Sequence, residues 1–210
     1  MGKLRARTDA ELAARRQEIL NAAAEQLMSM DYDAITLATI AEKTSIRRTS
    51  LYSYYETKEA VFADLLILEY EKLEQSFRTA FGERMPRERF CETMARLLWG
   101  QPILLKLLSL QLSVWDHRYN DDLVKRFVKA TQPYMQTLND ILAVQFPDAD
   151  DVARNRFKLQ FSVYCNSLYV IEHLPASQME VMAEMGFYDT IPAGEQICFE
   201  GLMLLSAVLT

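Results

Sequence analysis

The sequence predicts an all-α chain: an N-terminal three-helix module of the helix-turn-helix kind, followed by a larger helical domain. Three observations carry this. Apolar residues recur at three- and four-residue spacings along most of the 210 residues. Strand-like alternation is scarce. Proline and glycine fall mostly between the periodic segments, where they punctuate helices rather than interrupt them. Half of the residues are hydrophobic, enough for a substantial core.

The elements follow in order. Ile19, Ala23 and Leu27 recur every four residues, with Leu20 and Ala24 beside them, so 9–29 reads as a helix that Asp31-Tyr32-Asp33 ends. Thr36 is a fitting N-cap for a short helix carrying Leu37, Ile40 and Ala41, because its hydroxyl can accept from a free N–H of the first turn. Thr44-Ser45-Ile46 forms a turn, and a second short helix spans 47–54. Thr57 caps a long helix bearing Val61, Phe62, Leu65, Leu66, Leu73 and Phe77, which stops near Gly82 to Pro86. Further helices are expected at 87–99, 102–115, 120–145, 149–174, 178–185 and 194–209. Asn120 with Asp121 and Asp122 suits a helix start, since acids there complement the macrodipole. Pro133 falls inside the 120–145 helix and is expected to kink it. The domain boundary is placed after Lys58, giving 1–58 and 59–210 without a flexible linker.

Residues 36–59, TLATIAEKTSIRRTSLYSYYETKE, carry the clearest chemistry. Two short amphipathic helices meet at a three-residue break, and the second opens with Arg47 and Arg48. A second helix of this kind enters the major groove by its N-terminal end. Guanine presents O6 and N7 there, and an arginine fork matches both. Thr49 and Ser50 can bond a base edge or a phosphate. Tyr52, one turn on, offers a hydroxyl and a ring, and Tyr54 either faces DNA or packs on the first helix. Lys58 opens the next helix, where an ammonium and a helix N-terminus together favour a phosphate; Thr36 can act similarly. Leu37, Ile40, Ala41, Ile46, Leu51 and Tyr55 form the expected packing set. The net charge of −6 does not oppose double-stranded DNA as partner: residues 1–60 hold nine basic and nine acidic side chains, and all of the excess acid lies downstream. Residues 1–16 are net basic through Lys3, Arg5, Arg7, Arg15 and Arg16.

Residues 17–68 resemble the DNA-binding domain of the tetracycline-repressor (TetR) family. The resemblance rests on Ile19, Ala22 and Ala23, on Thr36-Leu37-x-x-Ile40-Ala41, and on Ser50-Leu51-Tyr52-x-Tyr54-Tyr55-x-x-Lys58-Glu59-Ala60. It implies an all-helical homodimer with a C-terminal effector-binding domain, and DNA contact at Thr36, Arg47, Arg48, Thr49, Tyr52 and Lys58. Two positions depart from the family pattern. Ser45 stands where the turn usually has glycine, so a left-handed backbone there would be strained. Arg47 stands where a serine-like cap usually opens the recognition helix.

Specific reading by so short a helix needs a second copy related by a two-fold axis. The 149–174 helix (Phe157, Phe161, Leu168, Ile171) and the 194–209 helix (Ile197, Phe199, Leu202, Leu205, Leu209) are the expected dimer elements, or else intrachain core. For the small-molecule effector, the expected lining is Trp99, Trp115, Tyr134, Tyr164 and Asn166, with Tyr169, Met94, Met135, His117 and His173 as further positions. Aromatic and methionine stripes equally serve as ordinary core. The expected function is a repressor released from a palindromic operator by its effector. The alternative is a regulator without an effector, or an activator.

An enzyme is disfavoured: there are two histidines, no histidine–carboxylate metal spacing, no glycine-rich phosphate loop and no nucleophile elbow. Cys91, Cys165 and Cys198 have neither metal nor disulfide spacing. No metal or cofactor is expected. Without a long apolar run or an apolar leader, a membrane partner is not expected and the cytoplasm is the expected location.

Overall fold

A computed structural model describes residues 8–114, 121–174, 176–186 and 193–209. The described residues form ten α-helices and two single 3₁₀ turns, in the order α1 (Asp9–Ser29), α2 (Leu37–Glu42), α3 (Arg48–Leu51), α4 (Lys58–Ala80), α5 (Arg87–Trp99), α6 (Pro102–Val114), α7 (Asp121–Gln145), α8 (Asp151–Glu172), α9 (Ala176–Glu184) and α10 (Gly194–Leu205). The turns are Tyr32–Ala34 and Ser206–Leu209. The expected all-α class is what the chain adopts. The basic arm with Lys3, Arg5 and Arg7, together with Trp115, His117 and Asn120, lies outside the described residues.

Local chemistry explains the boundaries. Thr8 and Glu11 make a reciprocal capping box at the start of α1. Thr36 caps α2 by accepting from the Thr39 N–H at 3.1 Å. Thr57 accepts from the Ala60 N–H, and Asp150 from the Ala153 N–H at 2.7 Å. Gly186, after α9, has φ +68°, a left-handed conformation that glycine adopts without steric cost.

The chain divides into two compact units: Met1–Leu68 with Tyr119–Phe127, and Glu69–Arg118 with Val128–Thr210. In the first, Ile19, Ala23, Ile35, Ile40, Leu51 and Phe62 are shut from solvent. Each such large side chain contributes about 1.5–3 kcal/mol by leaving water. A buried polar pair joins α1 to α2: the Gln26 amide donates to the Thr39 carbonyl at 2.6 Å, and the Thr39 hydroxyl donates to Gln26 Oε1 at 2.9 Å. The first turns of α7 belong to this unit although they lie far downstream in sequence.

In the second unit α10 packs on α5 and α8, and α6 packs on α8. Close approach depends on two glycines. A Cβ on Gly194 would sit 2.0 Å from the Trp99 ring, and one on Gly201 would sit 2.2 Å from the Tyr164 hydroxyl oxygen. Phe77, Phe81, Phe90 and Phe146 form a ladder with successive ring centroids 5.6, 5.2 and 5.2 Å apart. Gln145 is buried beside it, accepting from the Met85 N–H and donating to the Glu83 carbonyl.

The dimer face expected from sequence needs correction. Phe157, Phe161 and Leu168 of α8 are buried within the chain, as are Leu202 and Leu209. Among the α8 side chains described, which leave out Ile171, the exposed large apolar residues are Val152, Leu159, Val163 and Val170. At 100° per residue these four fall on one narrow stripe. Leu204, 79% exposed, is the exposed large hydrophobic residue of α10. Both helices are apolar on more than one side, so periodicity alone could not assign the faces.

Candidate nucleic-acid interface

The recognition segment is built on packing rather than on intrinsic helix stability. Helix α3 has four residues, shorter than the 47–54 expected, and continues as turns in which the Ser53 N–H bonds Ser50 O and the Tyr54 N–H bonds Leu51 O. A single turn has no independent stability in water. What holds it is Leu51, fully buried, and Tyr55, 5% exposed, spaced i, i+4; α3 packs on α2, and the Tyr55 hydroxyl reaches Asp64 of α4.

Other side chains of the segment are open to solvent. Arg47, Arg48, Thr49 and Tyr52 are exposed, Tyr52 at 48%, while Ser50 and Tyr54 are half-buried. No described residue engages either guanidinium. Arg47 occupies the N-cap position without a side-chain cap bond, so its fork remains available and the first N–H groups of α3 receive no help from it. Two expected positions are already engaged. The Thr36 oxygen is committed to its cap. Lys58 donates to the Tyr32 carbonyl at 2.8 Å and lies 4.2 Å from the Tyr32 ring centre.

The turn before α3 is not strained in the way its serine suggested. Among the described residues only Gly186 has positive φ, so Ser45 does not adopt the left-handed conformation for which the family uses glycine. Instead α1 grips the turn. Glu18 accepts from the Ser45 N–H, Arg15 bonds the Ser45 hydroxyl, and Arg15 pairs with Glu18 at 2.9 Å. The Ser45 N–H is the chief cause of a lowered Glu18 pKa. Thr44 stitches the other side: its hydroxyl donates to the Ala41 carbonyl and accepts from the Ile46 N–H. Sequence inspection missed this clamp, because nothing local marks Glu18 as the partner of a residue 27 positions away.

Another missed contact involves α7. Arg126 Nη2 lies 2.7 Å from Asp64 Oδ1, and the Tyr55 hydroxyl donates to Asp64 Oδ2 at 2.9 Å. Burial first, and the Asp64 charge second, push the Tyr55 hydroxyl well above the usual tyrosine range, so it stays a donor.

Two comparisons with known proteins bear on this site. Residues 19–65 match the family model for bacterial regulatory proteins of the tetR family, and residues 65–191 match the tetracyclin repressor-like C-terminal domain. The chain belongs to the TetR family. The family is one of DNA-binding transcriptional regulators, which is not an enzyme class. Among solved structures, the fatty acid degradation regulator FadR from Bacillus halodurans is similar at 16% identity, with 91% of this chain and 94% of that one covered and a TM-score of 0.59. A TetR regulator from Rhodococcus sp. RHA1 is similar at 16% identity, covering 93% and 97%, TM-score 0.57. A putative regulator from Vibrio parahaemolyticus follows at 11%, covering 90% and 96%, TM-score 0.58. At such identities the likeness is one of fold. No curated protein matches the chain.

The expected effector positions of this TetR-family chain are dispersed in their contacts. Trp99 packs against Gly194. Tyr164 lies against Gly201 and donates to the Ile197 carbonyl at 2.7 Å, so both serve the seating of α10. Tyr134 is buried, its ring 4.9 Å from that of Tyr70 and 6.1 Å from that of Phe77. Asn166 has a buried Oδ1 without a hydrogen-bond partner. Met94 is fully buried and Met135 is 41% exposed. His173 is exposed and stacks on Tyr169 at 3.8 Å. A groove of about 640 Å³ lined by Arg84, Arg87, Gln145, Phe146 and Asp148, among others, and one of about 540 Å³ around Pro133 include none of Trp99, Tyr134, Tyr164 and Asn166. Among the described residues there is no acidic, cysteine or histidine cluster fit for a metal, and no helix long and apolar enough to cross a membrane.

Proposed function

We propose that this chain is a ligand-responsive repressor that binds a palindromic operator as a homodimer and leaves it when a small-molecule effector binds. The observation that supports DNA reading most is the open set Arg47, Arg48, Thr49 and Tyr52, on and beside a single-turn helix anchored by buried Leu51 and Tyr55. Arginine supplies the bidentate donor that guanine matches, and the anchored turn gives it a fixed direction. The remaining DNA contacts are Ser50, Tyr54, Thr36 and Lys58, in roles weighted toward phosphate.

One such helix touches few base pairs, so a two-fold pair is needed for useful specificity. The exposed stripe Val152, Leu159, Val163 and Val170, with Leu204, supports α8 and α10 as the elements that pair. An effector that favours one spacing of the two reading helices, against DNA that favours another, opposes DNA binding by linkage of about 1–3 kcal/mol. Asn166, whose buried Oδ1 has no hydrogen-bond partner, is the polar handle assigned to such a ligand in this reading.

Selection of bound sequences from random DNA tests this. A palindromic motif is expected; a motif without two-fold symmetry overturns the dimeric reading, and no enrichment overturns DNA reading itself. Adding cell extract to the operator complex then tests the effector. Release is expected, and indifference favours a regulator without a small-molecule effector, or an activator.

A further inference from the structure

We propose that Arg126 is a positioning residue for DNA reading, acting from α7 through Asp64 and Tyr55 on the recognition helix. The proposal rests on the DNA-binding reading above. One carboxylate is held from both sides: Arg126 Nη2 stands 2.7 Å from Oδ1, and the Tyr55 hydroxyl donates to Oδ2 at 2.9 Å. Tyr55 is the last anchor of the recognition segment, four residues after Leu51, with its N–H bonded to the Leu51 carbonyl at 3.1 Å. Because α3 is a single turn, the position of Tyr55 helps to set the direction in which Arg47 and Arg48 point. The helix-turn-helix segment does not supply the arginine. It comes from the second turn of α7, which clusters with this unit, while the same helix runs on to Gln145.

The burial pattern sets how this pair acts. The Asp64 side chain is 18% exposed and that of Arg126 48%. The carboxylate is withdrawn enough from water for its partners to orient it, whereas the arginine sits at the rim and can be replaced without opening a core cavity. Removing the guanidinium leaves Asp64 tied to Tyr55 alone, and frees it to turn toward solvent and carry the tyrosine with it.

The test uses the full chain and the DNA sequence that the wild type itself selects. Arg126→Gln is expected to weaken operator binding by about three- to tenfold, the range for a half-exposed charge-assisted contact. Arg126→Lys should recover part of the loss. In a Tyr55→Phe background the Arg126→Gln penalty should shrink, because the relay is already cut. The salt dependence of binding should keep its slope, since the arginine acts without touching a phosphate. Circular dichroism at the assay temperature checks that each variant is folded. Wild-type affinity in folded Arg126→Gln overturns the proposal. So does a salt slope reduced by about one, which would put Arg126 directly on a phosphate. If the wild type selects no DNA sequence, it is the DNA-binding reading that falls, a result distinct from either.

Discussion

Leu51→Ala should uncouple the recognition helix from its support, and its cost can be worked from the structure. Leu51 is fully buried and is the buried residue of a four-residue helix. The substitution removes three carbons from the core, about 2.4 kcal/mol at roughly 0.8 kcal/mol for each buried methylene. A residual cavity raises the expected loss to about 3 kcal/mol. This is a large share of the stability of a small unit, so α3 should fray before the chain unfolds. Hydrogen exchange of the α1 to α3 amides, with urea unfolding followed by circular dichroism, reads the change locally. Tyr52→Ala is the matched control. Tyr52 is 48% exposed, so its loss should move stability by no more than about 0.5 kcal/mol while lowering affinity for the selected operator. A Leu51→Ala protein whose α1 to α3 protection falls by less than about 1 kcal/mol would refute the claim that this side chain holds the helix.

Other perturbations separate further roles. Arg48→Ala should weaken specific binding by about 1–3 kcal/mol and relax preference at one base position in each half-site, measured by repeating the sequence selection; an unchanged motif would remove Arg48 from base contact. Leu159→Glu with Val163→Glu should give a folded monomer by light scattering, because both side chains are exposed, whereas Leu202→Glu should unfold the second unit. A dimeric Leu159→Glu/Val163→Glu protein would move the dimer face elsewhere. Glu18 has a depressed folded-state pKa, so its contribution to stability is fully present above the unfolded carboxylate's pKa and is lost as pH falls through the folded value. Glu18→Gln should therefore lower the melting temperature at neutral pH and shrink the drop between pH 7 and acid; an identical acid profile would show that the Ser45 clamp does not contribute.

Much of the fold was legible because its determinants are local. Caps at Thr36, Thr57 and Asp150 hold the positions that their side chains favour, and proline and glycine stop helices where they cannot continue them. The packing set Leu37, Ile40, Ala41, Ile46, Leu51 and Tyr55 is buried throughout; helical spacing puts Leu37, Ile40 and Ala41 on one face of α2. Legibility failed in three kinds of place. The recognition helix is shorter than its pattern, because its last residues are held as turns by Leu51 and Ser50 backbone bonds. Two helices apolar on several sides, α8 and α10, gave no periodicity from which to choose the buried face. The effector positions were chosen by residue type, and Trp99 and Tyr164 instead seat α10 through contacts with Gly194 and Gly201.

The sequence by itself determined the helical class, the helix-turn-helix with its two arginines, and membership of a regulator family, because each is written in spacings of a few residues. Tertiary structure decided which side chains remain free to act. It tied Lys58 to the Tyr32 carbonyl, braced Ser45 from α1, and brought Arg126 to Asp64. Such partners are chosen by the packing of distant helices. Helical periodicity specifies the face a residue occupies, but not the neighbour that face will meet.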